Sequence, residues 1–320
     1  MGNSPVLLRS RHWLILTFLV FFRAILLQGE TITVLVPGST SSMPLLLMGE
    51  TDPIGGVDLK IEVFINHAQA LARLIRGEAE LLFSGTSQGW ENYLSGGPLV
   101  HINTGVWGIS YLIGRDESIR SVSDLRGKKI ALPFPGSPLD FQTRFFLKAS
   151  GLDPEKNCTI IYSPPPQAVP MLLMGQIDAA PLPEPLASKL VLSNGLKRLL
   201  DYKKVWAEVT GEGEATPQVS LFSLRKYADA SRAFLIRFNQ EWEKATRYTI
   251  ENPELMASRF AGLMSLDERI VAAAIRNTFY SILAPSRSMS QVISYFKRVR
   301  DSVPGMRLGS SLGDDFFFLP

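Results

Sequence analysis

Two hydrophobic periods alternate along the chain. Short runs rich in β-formers, Ile32 to Val36, Ala79 to Ser84, Lys129 to Leu132 and Ile177 to Ala180, predict strands that give way to Pro, Gly and Ser. Helical stretches lie between them. Pro44 and Pro138 stand where proline is favoured, in a helix's first turn, with Ser or Thr just ahead able to cap free N–H groups. Gly77 and Gly175 fit the left-handed residue past a helix end. Further on, His101 to Gly114 is β-rich, and Thr216 to Phe222 alternates polar with apolar positions. The stretch from Ser231 to Asp301 returns to helical periodicity through Phe234, Ile236, Trp242 and Ala245, and is expected to pack on the first part of the chain.

The pattern repeats at a fixed interval. Ile32-Thr33-Val34-Leu35-Val36-Pro37-Gly38-Ser39 recurs as Ile130-Ala131-Leu132-Pro133-Phe134-Pro135-Gly136-Ser137, an offset of 98 residues. Gln69-Ala70, Leu74, Gly77 and Glu80-Leu81 recur as Gln167-Ala168, Leu172, Gly175 and Asp178-Ala179 at the same offset. Two blocks holding one offset imply two copies of one strand–helix–strand plan. The expected fold is therefore α/β: two lobes with mainly parallel sheets joined by a two-strand hinge. Residues 30–107 and 217–320 would form lobe one and residues 108–216 lobe two. His101 to Gly114 would carry the chain across, with Gly105 and Gly108 as hinge points, and Thr216 to Phe222 would bring it back.

In open parallel α/β sheets ligands bind beyond the carboxyl ends of the strands, where helix N-termini also point. Four loops fall at that edge: Pro37 to Met43 and Ser84 to Ser87 in one lobe, Phe134 to Pro138 and Leu182 to Pro185 in the other. Ser39, Thr40 and Ser41 offer hydroxyls there. Gly136 and Ser137 open the loop of the second copy, beside Phe134. Ser137 also reads as a plain helix cap, and Glu184 as either a helix-opening acid or a partner for a ligand's amine. Trp107 could stack on a flat ligand or belong to the core.

Composition sets the class. With 46% apolar residues over 320 positions, the chain has enough material for two filled cores. Arg9 and Arg11 precede the apolar run Trp13 to Phe22, so residues 1–29 read as a signal peptide, with an uncleaved membrane anchor as the alternative. Removing Arg9, Arg11, Arg23 and Glu30 lowers the formal charge from +3 to about +1. Such a balance, without clustered Lys or Arg, argues against nucleic-acid binding. The single cysteine, Cys158, forms no intrachain disulfide and has no His near it in sequence to activate it. His12, His67 and His101 show no metal-ligand spacing, so no metal or cofactor is expected, and His67 is read as the start of a helix.

The series Asp124-Leu125-Arg126-Gly127-Lys128-Lys129-Ile130-Ala131, Gly136-Ser137, Gly151-Leu152-Asp153-Pro154, Gln167-Ala168, Gly175-Gln176-Ile177-Asp178-Ala179-Ala180 and Pro183-Glu184-Pro185 resembles one family. It is that of the nitrate, sulfonate, taurine and thiamine-precursor group of periplasmic solute-binding proteins. The resemblance implies a type II periplasmic binding fold, a small-molecule ligand clamped between lobes, and delivery to an inner-membrane ABC permease. It places Ser39, Thr40, Ser84, Thr86, Ser137 and Glu184 at positions like family ligand contacts. Pro183 departs from the aromatic residue usual before Glu-Pro. The expected function is an exported, periplasmic binding protein for a sulfonate, nitrate-like anion or zwitterion. The alternatives are a pyrimidine or thiamine-precursor ligand, and an enzyme resembling thiamine pyrimidine synthases. Against the enzyme stands the lack of any Cys-rich loop, Ser–His pair or paired carboxylates among the cleft loops.

Overall fold

The computed structural model describes residues 30–214, 216–300 and 313–320. The signal segment 1–29 lies outside the described residues. Eleven strands follow in chain order: β1 (Thr31–Pro37), β2 (Asp58–Phe64), β3 (Leu81–Gly85), β4 (Leu99–Gly108), β5 (Ser110–Gly114), β6 (Lys129–Leu132), β7 (Thr159–Tyr162), β8 (Ala179–Pro183), β9 (Lys197–Asp201), β10 (Val219–Leu224) and β11 (Phe279–Tyr280). Helices of the first half are α1 (Met43–Met48), α2 (His67–Ile75), α3 (Thr86–Leu94), α4 (Pro138–Ala149), α5 (Pro165–Leu173), α6 (Leu186–Asn194) and α7 (Tyr202–Thr210). Those of the last third are α8 (Arg225–Ala230), α9 (Arg232–Glu251), α10 (Pro253–Met264), α11 (Glu268–Arg276) and α12 (Pro285–Arg300).

The strands form two sheets, one of six strands in the order β11-β4-β10-β3-β1-β2 and one of five in the order β7-β6-β8-β5-β9. The repeat is visible in both. Strand β1 lies between β2 and β3 with both pairings parallel, and β6 lies between β7 and β8 in the same way. Helix α5 begins and ends 98 residues after α2, and β8 does the same relative to β3.

The sheets are not mainly parallel as the strand–helix alternation suggests. In the first, β10 runs antiparallel to both β3 and β4, and β11 antiparallel to β4; in the second, β5 runs antiparallel to β8 and β9. Both sheets are mixed because these strands carry the chain across the molecule instead of completing strand–helix–strand units. Strands β4 and β5 are one path interrupted at Ile109, and the return segment lies beside it, with Thr216 N–H donating to Trp107 O at 2.7 Å and Gln218 N–H to Val106 O at 2.9 Å.

Gly105 in this path is closely packed. A Cβ there would meet the Trp242 ring at 2.3 Å, so glycine is needed for close packing of α9 on β4. Gly108 packs likewise against Lys203 and Phe279.

One core joins a face of the first sheet to α1, α9, α10 and α11, through Val34, Phe83, Leu221, Phe238, Trp242 and Phe260. A second is continuous through both lobes and includes Leu35, Trp90, Leu112, Leu147, Trp206 and Phe296. The C-terminal helices do not serve the first lobe alone. In α12, Phe296 stacks on Trp90 of α3 at 4.7 Å, while Tyr295 meets Trp206 of α7 at 5.0 Å. Tyr111 of β5 donates to Asn277 O just beyond α11 at 2.6 Å. Large aromatics at helical spacing can fill any adjacent core, and here neighbouring residues of one helix fill positions belonging to different lobes.

Candidate functional site: a cleft at the carboxyl edge of both sheets

A cleft of about 520 Å³ lies where β3, β6 and β8 end and the crossing strands pass. The first lobe lines it with His67, Gly85 and Ser87, the second with Pro133, Phe134, Ser137, Pro138 and Pro183. Ile109, Ser110 and Pro217 to Val219 come from the crossing strands, and Tyr295, Phe296 and Val299 from α12. The repeat explains the convergence, because equivalent strand ends in two copies of one plan deliver their loops and helix N-termini to the same side. A larger hollow of about 850 Å³ on the first lobe, between α1 and α9, shares no lining residue with this cleft.

Two of the residues expected at the site line the cleft. Phe134 is 58% exposed, and Ser137 caps α4 by accepting the Asp140 N–H at 3.1 Å. Gly136 holds the turn at φ 80°, and its N–H donates to the Asp140 carboxylate at 2.8 Å. Asp140 in turn is paired with the Arg144 guanidinium at 2.7 Å. The N-terminus of α4 thus already faces a carboxylate of its own chain. Ser137→Ala should cost about 1 kcal/mol of stability through loss of the cap, read as a lower urea midpoint. An unchanged midpoint would mean that the cap contributes nothing.

The other expected contacts are not among the residues lining the cleft. The Ser39 hydroxyl bonds that of Ser41 at 2.6 Å, and Thr40 is buried with its carbonyl accepting from Tyr280 at 2.6 Å. This hydroxyl loop winds into a 3-10 turn leading to α1, which turns Thr40 and Ser41 into the core. Ser84 is buried against His67 and Gln88, while the Thr86 hydroxyl bonds that of Ser220 at 2.8 Å. Their neighbours Gly85 and Ser87 face the cleft instead.

Trp107 is a core residue with no exposed surface, and its indole N–H donates to Ser281 O at 2.9 Å. Glu184 is 2% exposed and engaged on both carboxylate oxygens, accepting from Arg198 at 2.7 Å and from Ser188 N–H at 2.9 Å. Burial pushes its pKa up, while Arg198 and Ser188 oppose the rise. Withdrawing this carboxylate from its internal partners would strand Arg198. Cys158 is half-buried, its thiol donating to Leu125 O at 3.3 Å, and burial raises its pKa.

Sequence reasoning missed His67, Gln218 and the α12 residues. His67 was findable. It is the first residue of α2, and the offset equates it with Pro165, the first residue of α5, which lines the same cleft. Its Nδ1 lies 2.8 Å from Ser84 Oγ, a Ser–His contact absent from the sequence pattern. Ser84 is not a nucleophile, however, because it has no exposed surface and its hydroxyl donates to Gln88 Oε1 at 2.6 Å. No signal in the sequence marked Tyr295 or Phe296 as cleft residues. Among the described residues no His, Cys, Asp or Glu gather in threes to hold a metal, and no helix is long and apolar enough to cross a membrane.

Two mixed α/β sheets, linked by paired crossing strands and facing a cleft at the carboxyl edge, define the two-lobe periplasmic binding protein fold. The periplasmic aliphatic sulphonate binding protein SsuA of Escherichia coli is similar with a TM-score of 0.68 at 18% identity, over 86% of this chain and 98% of that one. The periplasmic nitrate-binding protein NrtA of Synechocystis gives 0.64 at 14% identity, over 88% and 84%.

Residues 109–261 match the model of the NMT1-like family. The nitrate/nitrite binding protein NrtA of Synechococcus elongatus is 33% identical over 103 residues, 31% of this chain and 21% of that protein. Its Nostoc counterpart is 29% identical over 112 residues, 35% and 24%. The matches thus span about a fifth to a quarter of the length of these curated relatives. The resemblance to the nitrate and sulfonate group of ABC solute-binding proteins is borne out.

Proposed function

We propose that this chain is the exported, periplasmic solute-binding component of an ABC importer. It captures a small polar solute between lobes of residues 30–107 with 217–320 and of residues 108–216, and passes it to a membrane permease. The observation that carries this reading is the single cleft in which equivalent strand ends of the repeat meet, beside the two crossing segments. Solved structures of this fold that bear the names of sulphonate- and nitrate-binding proteins support it. An enzyme is disfavoured because, among the described residues, the cleft lining holds no Asp, Glu, Lys, Arg or Cys, and the serine beside His67 is sequestered.

Mass spectrometry of the purified chain should reveal a co-purified small molecule. Removing it and adding it back should shrink the radius of gyration in small-angle scattering as the lobes close. An unchanged radius with the ligand bound would exclude delivery by hinge closure.

A further inference from the structure

The chemistry of the cleft wall is unusual for a site expected to hold an oxyanion. Five of its residues are prolines, Pro133, Pro138, Pro165, Pro183 and Pro217, and none has an N–H to donate. Two of them open the second lobe's helices, Pro138 in α4 and Pro165 in α5, and each removes one of the free N–H groups that a helix N-terminus offers an anion. Asp140 already sits against the N-terminus of α4, and among the described residues no Lys or Arg lines the cleft.

Hydrogen bonding fixes the polarity of His67, one of the polar side chains that remain. Gln88 Nε2 donates to His67 O at 3.2 Å, which fixes its amide with Oε1 toward Ser84, since the reverse would oppose two oxygens. Ser84 therefore donates to Gln88 at 2.6 Å and accepts from His67 Nδ1–H at 2.8 Å. A neutral imidazole with its proton on Nδ1 carries a lone pair on Nε2, and Nε2 has no partner among the described residues. Gln218 also lines the cleft, with its Nε2 donating to Thr216 at 3.1 Å. His67 is an exposed residue whose ring packs edge-on against Phe64, and partial desolvation lowers its pKa from the ordinary value, which favours the neutral ring at neutral pH.

We propose that the cleft selects a neutral solute that donates hydrogen bonds, and that His67, offering its Nε2 lone pair, is the residue that sets this polarity. The proposal rests on the cleft being the ligand site and replaces the oxyanion expected from the sequence. Phe134, Phe141 and Phe296 supply apolar surface for a flat molecule, while the hydroxyls of Ser87, Ser110, Ser137 and Tyr295 suit either polarity.

The test has two arms. Long-range proton–nitrogen spectra of histidine-labelled protein, with the His67 signal assigned by its loss in H67Q, should show the Nδ1–H tautomer at neutral pH. The Nε2–H tautomer would overturn the proposal, and this arm decides the polarity without any ligand. Calorimetry with uracil and cytosine as neutral donors, and nitrate and methanesulfonate as anions, forms the second arm. A neutral probe should bind more tightly than either anion. His67→Phe should weaken that binding about tenfold, and His67→Gln, which keeps an acceptor, should stay within about threefold of wild type. Tighter binding of an anion, unaffected by His67→Gln, would overturn the proposal yet leave the importer reading intact. That reading fails separately, if scattering shows no closure whichever tautomer His67 adopts.

Discussion

A Phe316→Ala chain should unfold about 3 to 5 kcal/mol more readily than the wild type. Phe316 has no exposed surface, and its ring meets Tyr93 at 4.9 Å, Phe317 at 5.0 Å, Trp90 at 5.5 Å and His101 at 5.9 Å. It belongs to the segment 313–320, which lies back on β4 through Phe318 N–H donating to His101 O at 2.8 Å. Tyr93 clasps Asp315 from α3, and Arg232 bonds Leu319 O from α9. Truncation leaves a cavity ringed by stiff aromatic side chains, which collapse poorly around it. Urea unfolding would measure the loss. A change below about 1 kcal/mol would mean that these rings repack and that the tail is an accessory. None of these residues lines the cleft, so ligand affinity should be unchanged.

Acid should destabilise the protein through His101. The ring is 2% exposed, hydrogen-bonded from Nε2 to Thr104 at 2.9 Å and enclosed by Phe222, Phe316 and Phe317. Burial lowers its pKa from 6.5 to about 3. Below pH 6.5 the unfolded chain therefore takes up a proton that the folded chain refuses. Stability present at neutral pH is lost as pH falls toward 3, with a slope of about 1.4 kcal/mol per pH unit and a total of about 4 to 5 kcal/mol. His101→Asn should remove this part of the acid limb, seen as a shrinking difference between variant and wild type in urea midpoints from pH 7 to pH 4. A constant difference would place the proton elsewhere. The two sites should also couple, because Phe316→Ala admits water beside the imidazole and makes its protonation easier.

Phe316 shows where the sequence was readable and where it was not. The tail is apolar in sequence, yet its docking against α3 and β4 joins residues more than 200 positions apart. The strand–helix alternation was legible because β-rich runs, helix-opening prolines and Gly77 and Gly175 are local signals, and both glycines take positive φ. Mixed pairing in each sheet was not legible, since direction in β4, β5 and β10 follows from the path of the whole chain. For the candidate site, the repeat indicated the edge of the sheets, and Phe134 and Ser137 were placed on the cleft. Thr40, Ser84 and Thr86 are near it in sequence but buried, and Ser39 is half-buried beside Ser41, because a hydroxyl near a ligand edge also satisfies backbone and side-chain partners inside.

By itself, the sequence determined a two-copy α/β plan, its 98-residue interval, and the edge where the copies meet, because each of these is written in local periodicity and turn residues. Only the tertiary structure decided which side chains face that edge. A period of two or of 3.6 gives a face of a strand or helix, but whether that face looks into a cleft or into the layer beneath depends on what packs against it. Packing turned Trp107 and Glu184 inward, brought α12 across both lobes, and fixed the proton of His67 through Ser84 and Gln88.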